Sequence, residues 1–235
     1  MKILLEDGWN ADDIIEECKK RNIICEIYSS EELQNMDNTE FMNNITFCDT
    51  MIMEEQINRS KVIYKIPDTY DSRIEKMLNR KILLCEYKNI FDQKFPIFIK
   101  SYGNNKKLSG TVVQNIDELK ILFYDNEIED GEFYCCNEII TFDVEYRLFI
   151  GDGKLYAYGC HSGNSEIKLD IDFAKNIAKH INDFMVVDIG LYNNKWIVVE
   201  VNPPYSIDDC GIDISTYLDY CIDAQLMIKE LNKFF

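Results

Sequence analysis

The segment MVVDIGLYNNKWIVVEVN at residues 185–202 constrains this chain more than any other. Two apolar runs flank Asn193 and Asn194, a pair suited to a tight turn, so the segment predicts an antiparallel hairpin. Each arm carries a polar interruption among residues that otherwise suit a buried sheet. Asp188 lies on the first arm, and Glu200 and Asn202 lie on the second. Counting through the turn brings Asp188 roughly opposite Glu200, and strand alternation puts Glu200 and Asn202 on one face. Three hard oxygen donors then gather in one patch, the chemistry that magnesium favours. Acids in apolar strands cost free energy unless something pairs with them. A hairpin end exposed to solvent is the competing reading.

A second hairpin precedes it. RLFIGDGKLYAYG at residues 147–159 is an apolar run, a Gly-Asp-Gly turn and another apolar run. It opens on Glu145-Tyr146-Arg147, and an arginine at a strand start clamps a carboxylate or phosphate bidentately, or pairs with the neighbouring glutamate. His161, in GCHSG, either faces the same cleft or caps a strand end. His180, inside a predicted helix over 171–182, is structural.

Upstream, PIFIK at 96–100 reads as a strand, GNNKK at 103–107 as a basic loop and residues 108–113 as a strand. Three lysines, Lys100, Lys106 and Lys107, invert the local charge of a chain whose formal net charge is −17. Such a segment delivers ammonium groups and backbone N–H donors to phosphates, or is a solvated turn. A helix is expected over 116–124, a strand over 132–140 and an amphipathic helix over 216–235. The first hundred residues alternate: strands at 2–5, 23–28, 50–53 and 62–66, and helices at 10–20, capped by Asn10, and 71–80. That texture predicts a small parallel sheet, with no glycine-rich phosphate loop. The second half reads as an α+β lobe.

Composition narrows the function. A hydrophobic share of 46% supplies a core, and no apolar run approaches the roughly 18 residues of a membrane helix. The N-terminus lacks a signal-peptide apolar region, so a cytoplasmic protein is expected. The acidic balance argues against nucleic-acid binding. It suits a basic partner, or simply keeps the surface soluble. The nine cysteines form no C-x-x-C pair and read as reduced small hydrophobes.

Taken in order, these segments resemble the ATP-grasp superfamily, and FIKSYGNNKKLSGTVV resembles its R-two-K clade. The resemblance covers residues 95–215. It implies a small N-terminal α/β lobe (1–94) followed by two ATP-grasp subdomains (95–140 and 141–235), α/β and α+β in class, with the nucleotide cleft between them. Adenine is expected against residues 134–138, with Cys136, Asn137 and Glu138 as contacts. Lys100 and Lys106 hold phosphates, Glu145 and Arg147 line the nucleotide site, and Lys100, Lys106 and Arg147 stabilise the transferring phosphoryl group. Asp188, Glu200 and Asn202 hold one or two magnesium ions, for which manganese substitutes. The implied activity is carboxylate–amine ligation through an acyl-phosphate, forming an amide or peptide-like bond. The substrates are a small molecule or peptide with a carboxylate and an amine acceptor, and a homodimer is admissible. A catalytically silent ATP-binding module acting through a protein partner is the alternative.

Overall fold

The computed structural model describes residues 1–9, 11–60, 62, 64–70, 73–103 and 107–230. Short apolar runs alternating with amphipathic stretches build a parallel sheet first. Strands β1 (Ile3–Glu6), β2 (Cys25–Tyr28) and β3 (Ile45–Phe47) lie in the order β2-β1-β3. They alternate with α1 (Ala11–Lys20), α2 (Ser30–Asn35) and α3 (Asn38–Met42), and α4 (Thr50–Arg59) follows.

Residues 50–53, expected as a strand, are the first turn of α4. The Asp49 side chain accepts a hydrogen bond from the Met51 N–H and caps the helix. Ile52, Met53, Gln56 and Ile57 then fall on one buried face at helical spacing. The third strand is instead β3, three fully buried residues too few to show a period. No strand forms at residues 62 and 64–66, and the helix expected over 71–80 is reduced to a 3-10 turn at Glu75–Met77. Residues 71 and 72 and the expected cap Asn10 lie outside the described residues.

The second sheet is antiparallel and contains β4 (Leu83–Glu86), β5 (Ile97–Ser101), β6 (Thr111–Val113) and β7 (Glu132–Cys136) in the order β4-β7-β5-β6. It packs on α5 (Tyr87–Ile90) and α6 (Ile116–Asp125) through Ile97, Ile99, Phe123 and Phe133. The Asn115 side chain caps α6 by accepting from the N–H groups of Asp117 and Glu118. Because β4 pairs with β7, this sheet draws in residues on the N-terminal side of position 94.

The third sheet holds both predicted hairpins. β8 (Val144–Gly151), β9 (Lys154–Gly163), β10 (Met185–Tyr192) and β11 (Lys195–Asn202) run antiparallel in the order β11-β10-β8-β9. Asn193 and Asn194 turn the second hairpin with φ of 49° and 58°, the left-handed pair that a two-residue turn needs. Its two faces have different neighbours. Leu148, Ile150, Val187 and Val198 face α7 (Ile171–Ala178), whereas Phe149 and Val186 face α8 (Ile214–Glu230), which in turn packs on β1 and β3. His180 lies two residues beyond the end of α7, where its Nδ1 meets the Asn176 carbonyl at 2.8 Å. Among the described residues no helix is long and apolar enough to cross a membrane.

Leu148 sits on an inner strand of this sheet with no exposed area. Leu148→Ala is expected to destabilise the protein by about 2–5 kcal/mol, read as a fall in the urea midpoint with little change in slope.

Candidate functional site

The α8 face of the third sheet changes character along its strands. Past Phe149 and Val186 the inward positions become Arg147 and Glu145 on β8, Asp188 on β10, and Glu200 and Asn202 on β11. Cross-strand register sets four of these strands' residues in one row: Gly159, Arg147, Asp188, Glu200. Arg147, Asp188 and Glu200 of this row floor a cleft of about 570 Å³ whose opposite wall comes from β5 and the segment after it, including Phe98, Lys100 and Gly110.

A β-bulge makes the row possible. A two-residue turn continued in regular register would set Asp188 opposite Val199. Pairing slips between Asp188 and Ile189, leaving Val199 as the extra residue, so that Asp188 meets Glu200. Without the slip Glu200 and Asn202 would point to the α7 face. The sequence reading placed Asp188 and Glu200 roughly opposite; the bulge is the reason they share a face.

Charges along the row are paired. Arg147 donates to both oxygens of Asp188, Nε to Oδ1 at 2.9 Å and Nη2 to Oδ2 at 2.9 Å. Both residues are buried, with 7% and 2% of their surface exposed. The partner of Arg147 is therefore the acid across the strand rather than its neighbour Glu145. Lys100 reaches over from β5 to Glu200, Nζ to Oε2 at 2.6 Å. The Asn202 amide donates to Asp188 Oδ2 at 3.2 Å and to Glu200 Oε1 at 3.3 Å. Burial pushes the Glu200 carboxyl up, but Lys100, aided by Asn202 and Arg147, outweighs it and holds the group below the ordinary carboxylate value. Glu145 is raised, by burial first and then by the charge of Asp188.

The donor set fits a hard divalent cation. Two carboxylates and an amide converge, and the Asn202 N–H₂ already bridges the two acids as a cation would, so turning the amide over presents its oxygen instead. Among the described residues no cluster of three or more His, Cys, Asp or Glu side chains can hold a metal. An ion here needs further oxygens from phosphate and water, which is the habit of magnesium.

The remaining expected residues divide. Lys106 lies outside the described residues. Cys136, Asn137 and Glu138 stand at and just beyond the end of β7, not in the cleft wall; Ile139, Ile140 and Phe142 line it instead. The Asn137 amide donates to the backbone carbonyls of Lys94 and Pro96, and the Cys136 thiol lies 3.5 Å from the Glu138 carbonyl. An apolar run, Ile139-Ile140, carried the signal for that wall and was read as strand. His161 lines the cleft from a bulge on β9, with Nδ1 3.6 Å from the Cys210 sulfur. Tyr70 and Arg80, from the segment before β4, also line the cleft and had no sequence signal beyond their residue types.

Comparison with known proteins places these observations. The family model described as ATP-grasp domain, R-two-K clade family 2, matches residues 77–220, more than half of the chain. Solved structures with the same fold include an N5-carboxyaminoimidazole synthase from Aspergillus clavatus in complex with ADP and 5-aminoimidazole ribonucleotide. It has a TM-score of 0.59 and 11% identity over 94% of this chain and 76% of that one. A D-alanine–D-alanine ligase from Bacillus anthracis complexed with ATP aligns at TM-score 0.53 and 17% identity, covering 98% of this chain and 99% of that one. A RimK domain ATP-grasp protein from Sphaerobacter thermophilus aligns at 0.52 and 11%, with the same coverage. No curated protein sequence matches.

Breaking one side of a buried ion pair leaves the other charge stranded. Arg147→Met is expected to cost about 3–5 kcal/mol, and adding Asp188→Leu to recover most of that loss. Urea melts of the single and double variants decide it, since a neutral single variant would mean the pair carries no strain of burial.

Proposed function

This chain belongs to the ATP-grasp domain family, R-two-K clade family 2, and on that premise we propose that it is a Mg-ATP-dependent carboxylate–amine ligase. The observation that carries the proposal is the meeting of Lys100 from one sheet with Glu200 from another at 2.6 Å, beside Asp188 and Asn202. A phosphate-seeking cation and a cation-seeking carboxylate face each other across a cleft of ligand size. The neighbours with this fold include enzymes named as a ligase and a synthase, crystallised with ATP and with ADP.

In this reading ATP enters as substrate with its base against Ile139, Ile140 and Phe142, and its phosphates run toward Lys100; Lys106 is a second phosphate contact by the family resemblance. Asp188, Glu200 and Asn202 would hold the magnesium, which supplies neutralisation of phosphate charge when bound. Lys100 exchanges its carboxylate partner for a phosphate oxygen. Arg147 stays fixed by Asp188, so its guanidinium presents a pre-oriented charge to the cleft at no further cost in side-chain entropy. A substrate carboxylate attacks the terminal phosphorus and displaces ADP; an amine then attacks the acyl carbon and displaces phosphate. Positioning and charge stabilisation supply the rate, and no protein nucleophile is required. The match starting at residue 77 and the pairing of β4 with β7 support a nucleotide-binding core that begins ahead of β4.

ADP release with magnesium, ATP and an amino-acid pool tests the activity. Wild type is expected to turn over, and Glu200→Ala to fall by about a hundredfold or more. Pool-dependent ADP release that is equal in the two proteins would remove Glu200 from the reaction. No release from either, with ATP still bound, would favour a silent nucleotide-binding module.

The Lys100–Glu200 pair makes a second prediction. ATP stripped of metal has to take Lys100 from Glu200 and leave that acid facing a triphosphate. Glu200→Gln is therefore expected to bind metal-free ATP more tightly than wild type and Mg-ATP more weakly, by isothermal titration with and without EDTA.

A further inference from the structure

Arg80 is used by nothing so far described, yet its surroundings are unusual for a surface-segment arginine. Its guanidinium lies 5.5 Å from the Phe98 ring centre and 6.0 Å from that of Tyr70, and it reaches the cleft between them. Nη2 donates to the Val199 carbonyl at 3.2 Å. Nε is buried and has no hydrogen-bond partner.

Val199 is the extra residue of the β11 bulge. A bulge leaves a backbone group outside the ladder, and β11 is the edge strand of its sheet. The segment before β4 covers that edge. Thr69 takes the Val201 N–H on its carbonyl at 2.9 Å, and Arg80 takes the Val199 carbonyl. Two contacts thus bracket Glu200 in sequence, one on each neighbour. A regular strand would set Glu200 on the opposite face, so whatever stabilises the bulge also stabilises the cation site.

We propose that Arg80 is the positioning residue of the cation site. By holding the Val199 carbonyl, it keeps Glu200 turned toward Asp188 and Asn202. Its stacked, half-buried guanidinium is stiff enough to serve as an anchor, and the same residue lines the cleft. One side chain then touches the strand that binds the metal and the space that takes the nucleotide. The proposal rests on the cation-site reading above.

The sign of one measurement separates this role from a simple charge effect. Arg80 is positive and close to the site, so by relief of Coulomb repulsion alone its removal would tighten cation binding. A positioning role requires the opposite. Mn²⁺ binding to the full-length protein without nucleotide, followed by the electron paramagnetic resonance of free Mn²⁺, is expected to weaken by about tenfold or more in Arg80→Met. Arg80→Lys keeps the charge but loses the planar fork, and is expected to weaken binding as well. Circular dichroism and urea melts of both variants confirm that the fold is retained, and Lys serves if Met does not fold. Affinity equal to or tighter than wild type in either folded variant overturns the proposal. Wild type that fails to bind Mn²⁺ overturns the cation site itself, and this inference with it.

Discussion

Everything in the cleft depends on how buried charge is neutralised along a single row of cross-strand neighbours. Asp188 is almost wholly buried in a sheet whose other side is aliphatic. It is tolerated because Arg147 stands directly opposite and takes both of its oxygens. That bidentate pair fixes Asp188 Oδ2, which orients the Asn202 amide, which in turn contacts Glu200. Lys100 closes the row from another sheet. Each group is oriented by the one before it, so the polar set is ordered before any ligand arrives.

That order suits a reaction in which the protein supplies no covalent chemistry. Phosphoryl and acyl transfer need positive charge where negative charge accumulates, held still in advance. The row sets two acids, Asp188 and Glu200, between two cations, Arg147 and Lys100, and each cation is already stripped of much of its water. In a chain of strongly acidic balance, the cleft is close to neutral, with Arg80, Lys100 and Arg147 set against Glu145, Asp188 and Glu200.

Much of this was legible in the sequence, for identifiable reasons. The two hairpins showed because their turns, Gly-Asp-Gly and Asn-Asn, break long apolar runs, and because acids inside such runs are expensive. α4 was misread because Thr50, Met51, Ile52 and Met53 are apolar without period, and only the capping geometry of Asp49 reveals the helix. Cys136, Asn137 and Glu138 do not line the cleft, whereas Ile139, Ile140 and Phe142 do, because the strand expected over 132–140 ends at Cys136. The bulge at Val199 left no trace, since nothing in WIVVEVN distinguishes a regular strand from one that slips. Arg80 was invisible for a related reason: its importance lies in a backbone carbonyl more than a hundred residues away.

The middle sheet carries one further consequence. Among the described residues its aliphatic and aromatic interior, formed by Ile97, Ile99, Phe123 and Phe133 with α5 and α6, shares no buried side chain with the interiors on either face of the third sheet. A body with its own sealed interior can tilt as a unit, disturbing surface contacts but melting nothing. Lys100 rides on that body and Glu200 on the other, so the distance between them is a caliper for how far the jaws stand open.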